Sequence, residues 1–219
     1  ELYLEDRRRK GFNLLLVSLI EHHFADNPPK NAYGDEPFLG NNDYTRPNEA
    51  YFSHADWILK RSHEQGFAVL LCPSYLGYQG NHEGWYEVMK RNGENALAQY
   101  GRFVGERYRG YANVIWLQGG DYTPPPEGLA LVECSARAVR RASPRQLQAA
   151  HWAPETSGVD VPKEWLDINT TYTYSPVYIK SLEDHARVHR RPHFLIESAY
   201  EEERGSTPGS LRGQAYYAL

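Results

Sequence analysis

Cysteine is scarce in this chain of 219 residues, and the two present, Cys72 and Cys134, cannot build a disulfide framework. Cys72 falls in an apolar strand pattern and Cys134 in a helical one. Neither stands beside a His or a second Cys, so both are expected to be small buried hydrophobes rather than metal ligands or thiol nucleophiles. Long apolar runs are also missing: none approaches the ~20 residues that span a bilayer, so no membrane partner is expected. The start carries no signal-peptide core. It opens inside a helical pattern, as a segment of a longer protein would, and the compartment stays open. Strong positive charge is absent as well. Net charge is −4, and the one basic run, Arg7-Arg8-Arg9-Lys10, lies in a helical pattern. It reads as a solvated face, and no nucleic-acid partner is expected. No glycine-rich phosphate loop follows any strand pattern, which disfavours a dinucleotide-binding fold.

What is present is ordinary in bulk, with 41% hydrophobic and 24% charged residues, as in globular domains. The length suits one α/β domain over residues 1–219 rather than two. Aromatics stand out, with 17 Tyr and 5 Trp. Many of them fall just after strand patterns, a distribution that suits a cleft stacking on sugar rings.

Residues 1–11 read as a helix ended by Gly11. Phe12 to Ile20 is a continuous apolar run, the mark of a strand buried on both faces. A polar loop follows to about Tyr51, then a helix capped by Ser53 and ended by Gly66. Phe67–Pro73 is a second strand; a helix to about Tyr108 and the strand Asn113–Gln118 come next. Further helices are predicted over Glu127–Ala142, Val177–Val188 and from Thr207-Pro208. Further strands are predicted over Gln146–Ala150, Leu166–Tyr172 and His193–Ile196. The segment between Ala150 and Leu166 leaves room for a reduced helix or none. Repeating βα units with apolar strands mean a parallel sheet. Polar and aromatic residues gather after the strands' C-terminal ends, where barrel enzymes build their sites. The expected fold is therefore an α/β, (β/α)8 TIM barrel, lacking its first and last strands in this segment.

Two carboxylates stand at strand ends. Asp121 follows Gln118-Gly119-Gly120, where two glycines permit a tight turn and leave room for a ligand. Pro124-Pro125-Pro126 separates Asp121 from the next helix, which argues against a capping role. Glu197 follows the buried run Phe194-Leu195-Ile196, where a carboxylate is costly to desolvate unless it has partners or work to do. Two carboxylates converging from different strands are the equipment for cleaving a glycosidic bond.

Several stretches resemble one family: KGFNLLLVSLIE, FADNPPKNAYG, PNEAYFSHADWIL, YLGYQGNHEGWYEVM, NVIWLQGGDY, HWAPETS, NTTYTYSPVY and FLIESAYEEE. Together they are similar to the apiosidase-like barrel glycoside hydrolases, with GGDY and IESAYE the most specific pieces. The resemblance implies a carbohydrate substrate, Asp121 as acid/base after strand four and Glu197 as nucleophile after strand seven. The family includes enzymes that release apiose-containing side chains from plant pectin, and polysaccharide-degrading relatives are commonly exported.

Around the pair, Glu21, His22 and His23 are expected to bond sugar hydroxyls, as are Gln118 and Tyr122 on the Asp121 strand. His151 and Trp152 follow one strand and Tyr172 and Tyr174 another. Tyr75, Tyr78 and Trp85 are expected to wall the cleft. No cofactor and no metal are expected, since adjacent His22 and His23 point apart and no partner spacing supports them. Two other readings remain open: a carbohydrate-binding barrel without catalysis, and a metal-dependent hydrolase using His22, His23 and His151.

Overall fold

The computed structural model describes residues 1–187 and 191–218. Helix α1 (Leu2–Arg9) leads into strand β1 (Leu14–Ser18), α2 (Glu49–Glu64) and β2 (Ala68–Cys72). Then come α3 (Tyr86–Tyr108), β3 (Val114–Gly119), α4 (Pro126–Ala142) and β4 (Gln148–His151). The chain finishes with β5 (Asn169–Tyr172), α5 (Val177–His185), β6 (His193–Glu197) and α6 (Pro208–Tyr217). The crossover from β4 to β5 holds only the 3-10 turn Gly158–Asp160. Val188, the expected end of the fifth helix, lies outside the described residues.

All strand pairs are parallel. β1, β2, β3 and β4 form one sheet in that order and β5 pairs with β6. A bridge between Ala149 and Ile168 joins the two sheets, and the Thr170 hydroxyl donates to the Ala150 carbonyl across the seam. The strands thus follow chain order around one arc, with helices outside, the arrangement of a (β/α)8 barrel. Alternation along the strands sends Val69, Leu71, Val114 and Trp116 outward onto Leu97, Tyr100, Leu131 and Val139 of α3 and α4. Cys72, Leu117 and Ala149 point inward with Tyr75, Ile168 and Ile196. Helices α3 and α4 lie almost in contact, since a Cβ on Gly101 would meet the Ser135 carbonyl at 2.4 Å.

Several expectations need correction. β1 is not buried on both faces: Leu14 and Leu16 are 40% and 54% exposed. They point to the barrel interior, and among the described strands β1 pairs only with β2, which leaves that side partly exposed. Helix α2 begins earlier than read, because Asn48, not Ser53, accepts the Ala50 N–H. The loop before it is not simply polar. It buries Phe38 and Tyr44, stacked at 4.3 Å, against Trp85 and Tyr100. Trp85 is therefore core rather than cleft wall. Cys134 is only half-buried, its thiol 3.4 Å from a Glu94 carboxylate oxygen. The basic run sits on α1, which buries no residue, with Arg7 and Lys10 paired to Asp6. Among the described residues no helix is long and apolar enough to cross a membrane.

Candidate active site

Four strand ends converge at one rim of the arc. At the exit of β3, Gly119 and Gly120 adopt φ of +88° and +124° and turn the chain, so that Asp121, itself at φ +52°, faces the ends of β5 and β6. The two glycines make room for neighbours rather than for a ligand. A Cβ on Gly119 would lie 2.5 Å from the His151 carbonyl, and one on Gly120 would lie 2.2 Å from the Tyr75 ring. Side chains at both positions are excluded by contact as well as by φ.

The Tyr172 hydroxyl at the end of β5 joins the two carboxylates. It lies 3.0 Å from Asp121 Oδ1 and 3.2 Å from Glu197 Oε1, and also 3.2 Å from the Tyr174 hydroxyl. His151, ending β4, is buried and brings Nε2 to 3.1 Å from Glu197 Oε2. That contact is close but off the line of a ring N–H, and Nε2 has no aligned hydrogen bond. It is a close polar contact rather than a formed hydrogen bond.

These neighbours shift protonation. Burial and then the Glu197 charge push the Asp121 carboxyl up to about 6, against smaller opposing effects of the Tyr172 hydroxyl and His151. Glu83, from the loop after β2, adds to the rise. Burial, then the hydrogen bond with Tyr174 and the two carboxylates, push the Tyr172 hydroxyl upward, and burial and the same carboxylates push that of Tyr75. Tyr172 therefore stays a protonated donor to the carboxylates.

The other predicted residues divide into those that join this cluster and those that do not. Tyr174 and Tyr75 join it, the first by its hydroxyl and the second by packing over Gly120. Gln118 does not. Its amide donates to Gln148, which donates to the Ala136 carbonyl of α4, on the outer side of the sheet. Trp152 is buried with its indole N–H on the Gly158 carbonyl. Tyr122 packs edge-on against Tyr86. Glu21 receives the backbone N–H groups of His22, His23 and Phe24, so its carboxylate shapes its own loop. His22 bonds the His82 carbonyl and meets Trp85 edge-on, while His23 faces the His82 ring. Among the described residues no group of three His, Cys, Asp or Glu side chains is placed to hold a metal ion. A cavity of about 210 Å³ between β1 and α2 shares only Glu21 with the predicted site residues.

The family model for the apiosidase-like catalytic domain matches residues 1–219. The chain belongs to that family. A search of curated proteins finds no match. Among solved structures, a family 5 glycoside hydrolase from Bacteroides vulgatus ATCC 8482 superposes with a TM-score of 0.82 at 20% identity, covering 99% of this chain and 51% of that one. A second structure, described as a glycoside hydrolase, gives 0.80 at 20% identity, covering 99% and 54%. Thermotoga maritima Cel5A gives 0.66 at 14%, covering 98% and 78%. At these identities the likeness shows the (β/α)8 fold alone. This apiosidase-like chain spans about half the length of the first two structures.

Within the apiosidase-like domain, three further residues contribute to the rim without a marked position in the sequence. Glu83 acts on Asp121 only through its charge, with no strand-end position to mark it. Tyr200 stands three residues after Glu197; burial and the Glu197 charge push its hydroxyl up, although much of its ring is exposed. Glu155, in the crossover after β4, bonds the turn that carries Tyr174.

Proposed function

We propose that this domain is the catalytic core of a retaining glycoside hydrolase in which Asp121 is the acid/base and Glu197 the nucleophile. The observation that carries the reading is the single Tyr172 hydroxyl within hydrogen-bond reach of both carboxylates. Two oxygens held 3.0 and 3.2 Å from one atom can lie no farther apart than those two distances together, which is short of the roughly 6.5–9.5 Å of inverting enzymes and leaves room for the ~5–5.5 Å of retaining ones.

Each group then has a task. With its carboxyl raised to about 6, Asp121 stays largely protonated up to that pH and gives its proton to the departing glycosidic oxygen. Glu197 attacks the anomeric carbon from the opposite side and forms a glycosyl-enzyme. Asp121, now ionised, takes a proton from the water that releases the sugar. Tyr172 holds Glu197 in its attacking orientation with the His151 ring packed beside it, and Tyr75 and Tyr174 flank the sugar. The family's description, apiosidase-like, supports an apiose-containing oligosaccharide or polysaccharide as substrate, and the plant-type, pectic origin is what the sequence resemblance implies.

Labelling tests the chemistry. Incubation of the full-length protein with 2-deoxy-2-fluoroglycosyl fluorides, followed by peptide mass spectrometry, is expected to find the sugar on Glu197. A label on another carboxylate, or none across a sugar panel that includes apiose, would remove Glu197 from the role. Release of free apiose from pectic oligosaccharides is the expected outcome of a substrate screen.

A further inference from the structure

One acidic side chain beside the pair has no part in that chemistry. Glu155 reaches from the crossover after β4 to the turn after β5. Its Oε1 accepts the Tyr174 N–H at 2.7 Å and the Ser175 N–H at 3.2 Å, and its Oε2 accepts the Thr173 hydroxyl at 2.7 Å. Burial would raise this carboxyl, but the three donors outweigh it and hold it below its ordinary value. Glu155 itself sits at φ +61°, a region that side-chain-bearing residues avoid unless their surroundings impose it. On the other side, Arg204 lays its guanidinium 3.9 Å from the Tyr174 ring centroid. Arg204 and Glu202 are also left-handed, at φ +50° and +65°. Two loops from different strand ends, both held in unfavourable backbone conformations, thus close on one ring.

What the ring does follows from counting protons. Tyr172 has one, and three oxygens stand within 3.2 Å: Asp121 Oδ1, Glu197 Oε1 and the Tyr174 hydroxyl. If Tyr174 accepts, the carboxylates lose the Tyr172 proton. If Tyr174 donates, the Tyr172 proton remains for them. We propose that Glu155 is a positioning residue for the carboxylate pair: through the 173–175 turn it holds the Tyr174 hydroxyl 3.2 Å from that of Tyr172, where it can donate and leave the Tyr172 proton to the carboxylates. The inference rests on the retaining-hydrolase reading of Asp121 and Glu197.

The test uses the full-length protein with 3-fluorotyrosine installed at position 174. The fluorine resonance is expected to be single and narrow. Glu155→Ala is expected to broaden it and move it towards the free amino acid. Glu155→Gln, whose amide oxygen still accepts from both N–H groups, is expected to restore it. Thr173→Val, which removes one bond of the three, gives a milder variant should Glu155→Ala fail to fold. Kinetics on a 4-nitrophenyl glycoside turned over by the wild type complete the test. Glu155→Ala and Tyr174→Phe should each lower kcat/KM by about 10-fold, and the double variant by no more, because both act through one hydroxyl. An unmoved resonance in Glu155→Ala, or losses that multiply to about 100-fold, would overturn the proposal. Absence of Glu197 labelling in the wild type would overturn the parent reading instead, and with it the catalytic role of Glu155, whatever the fluorine spectrum shows.

Discussion

Asp121 concentrates the electrostatic cost of the site. Its carboxyl titrates near 6 in the fold against an ordinary value of 3.8. The folded protein therefore binds this proton more tightly than the unfolded chain. Stability falls as pH rises from about 4 to about 6, and the deficit persists above that. Asp121→Asn should remove the deficit, which is on the order of 1 kcal/mol once solvent screening of this half-exposed group is discounted. Thermal melting at pH 7 should show a gain of roughly 2–4 °C that vanishes at pH 4. A gain of equal size at both pH values would mean that the charge is not its source. Tyr172 gives the companion expectation. Its hydroxyl lowers the Asp121 carboxyl, so Tyr172→Phe should move the alkaline limb of kcat/KM to higher pH. The lost charge-assisted hydrogen bond should also cost about 10- to 100-fold in rate. A limb that stays in place would separate Tyr172 from Asp121.

At the level of elements, the exit of β3 decides whether the site forms. Gly120 has the Tyr75 ring where a Cβ would stand and a φ of +124°. Gly120→Ala is expected to displace Tyr75 and Asp121 together and to abolish turnover. Gly213 in α6 is the contrast, with only a Tyr217 ring carbon near it, at 3.6 Å. Gly213→Ala should stabilise by about 0.5–1 kcal/mol with activity unchanged. Circular dichroism melts and turnover measured on both variants check this; equal behaviour would contradict the packing argument. Strands and helices were legible because apolar runs and glycine or proline stops are local signals. The Asn48 cap was hidden because Ser53 has the same chemistry a turn later. The roles of Gln118 and Trp152 were hidden because a strand end has two faces, and one sequence does not say which residue turns outward. The meeting of Asp121 and Glu197 at one rim was legible because each stands at the end of an apolar strand run, although the run before Glu197 is only half-buried. Glu83 and Glu155 were not, since both reach the rim from loops whose path only the fold determines.

At the scale of the whole molecule, the six described strands form an arc with β1 and β6 at its ends. The inward faces of these two strands are incompletely covered, as Leu14, Leu16 and the half-buried residues of β6 record. Unpaired strand edges carrying exposed apolar side chains invite association. A protein consisting of residues 1–219 alone is expected to self-associate at high concentration, and Leu16→Lys to reduce this, as read by sedimentation velocity. A strictly monomeric wild-type chain would contradict the expectation.

The central claim, a double displacement by Asp121 and Glu197, meets its most direct test in the full-length Glu197→Gly variant supplied with azide. Removing the nucleophile should lower turnover of an activated aryl glycoside by several orders of magnitude. Azide should restore part of it by attacking from the vacated side, giving a glycosyl azide of inverted anomeric configuration, assigned by proton NMR. Retention of more than about a tenth of wild-type rate without azide, a barrier change under ~1.4 kcal/mol, would contradict the account, as would an azide product of retained configuration.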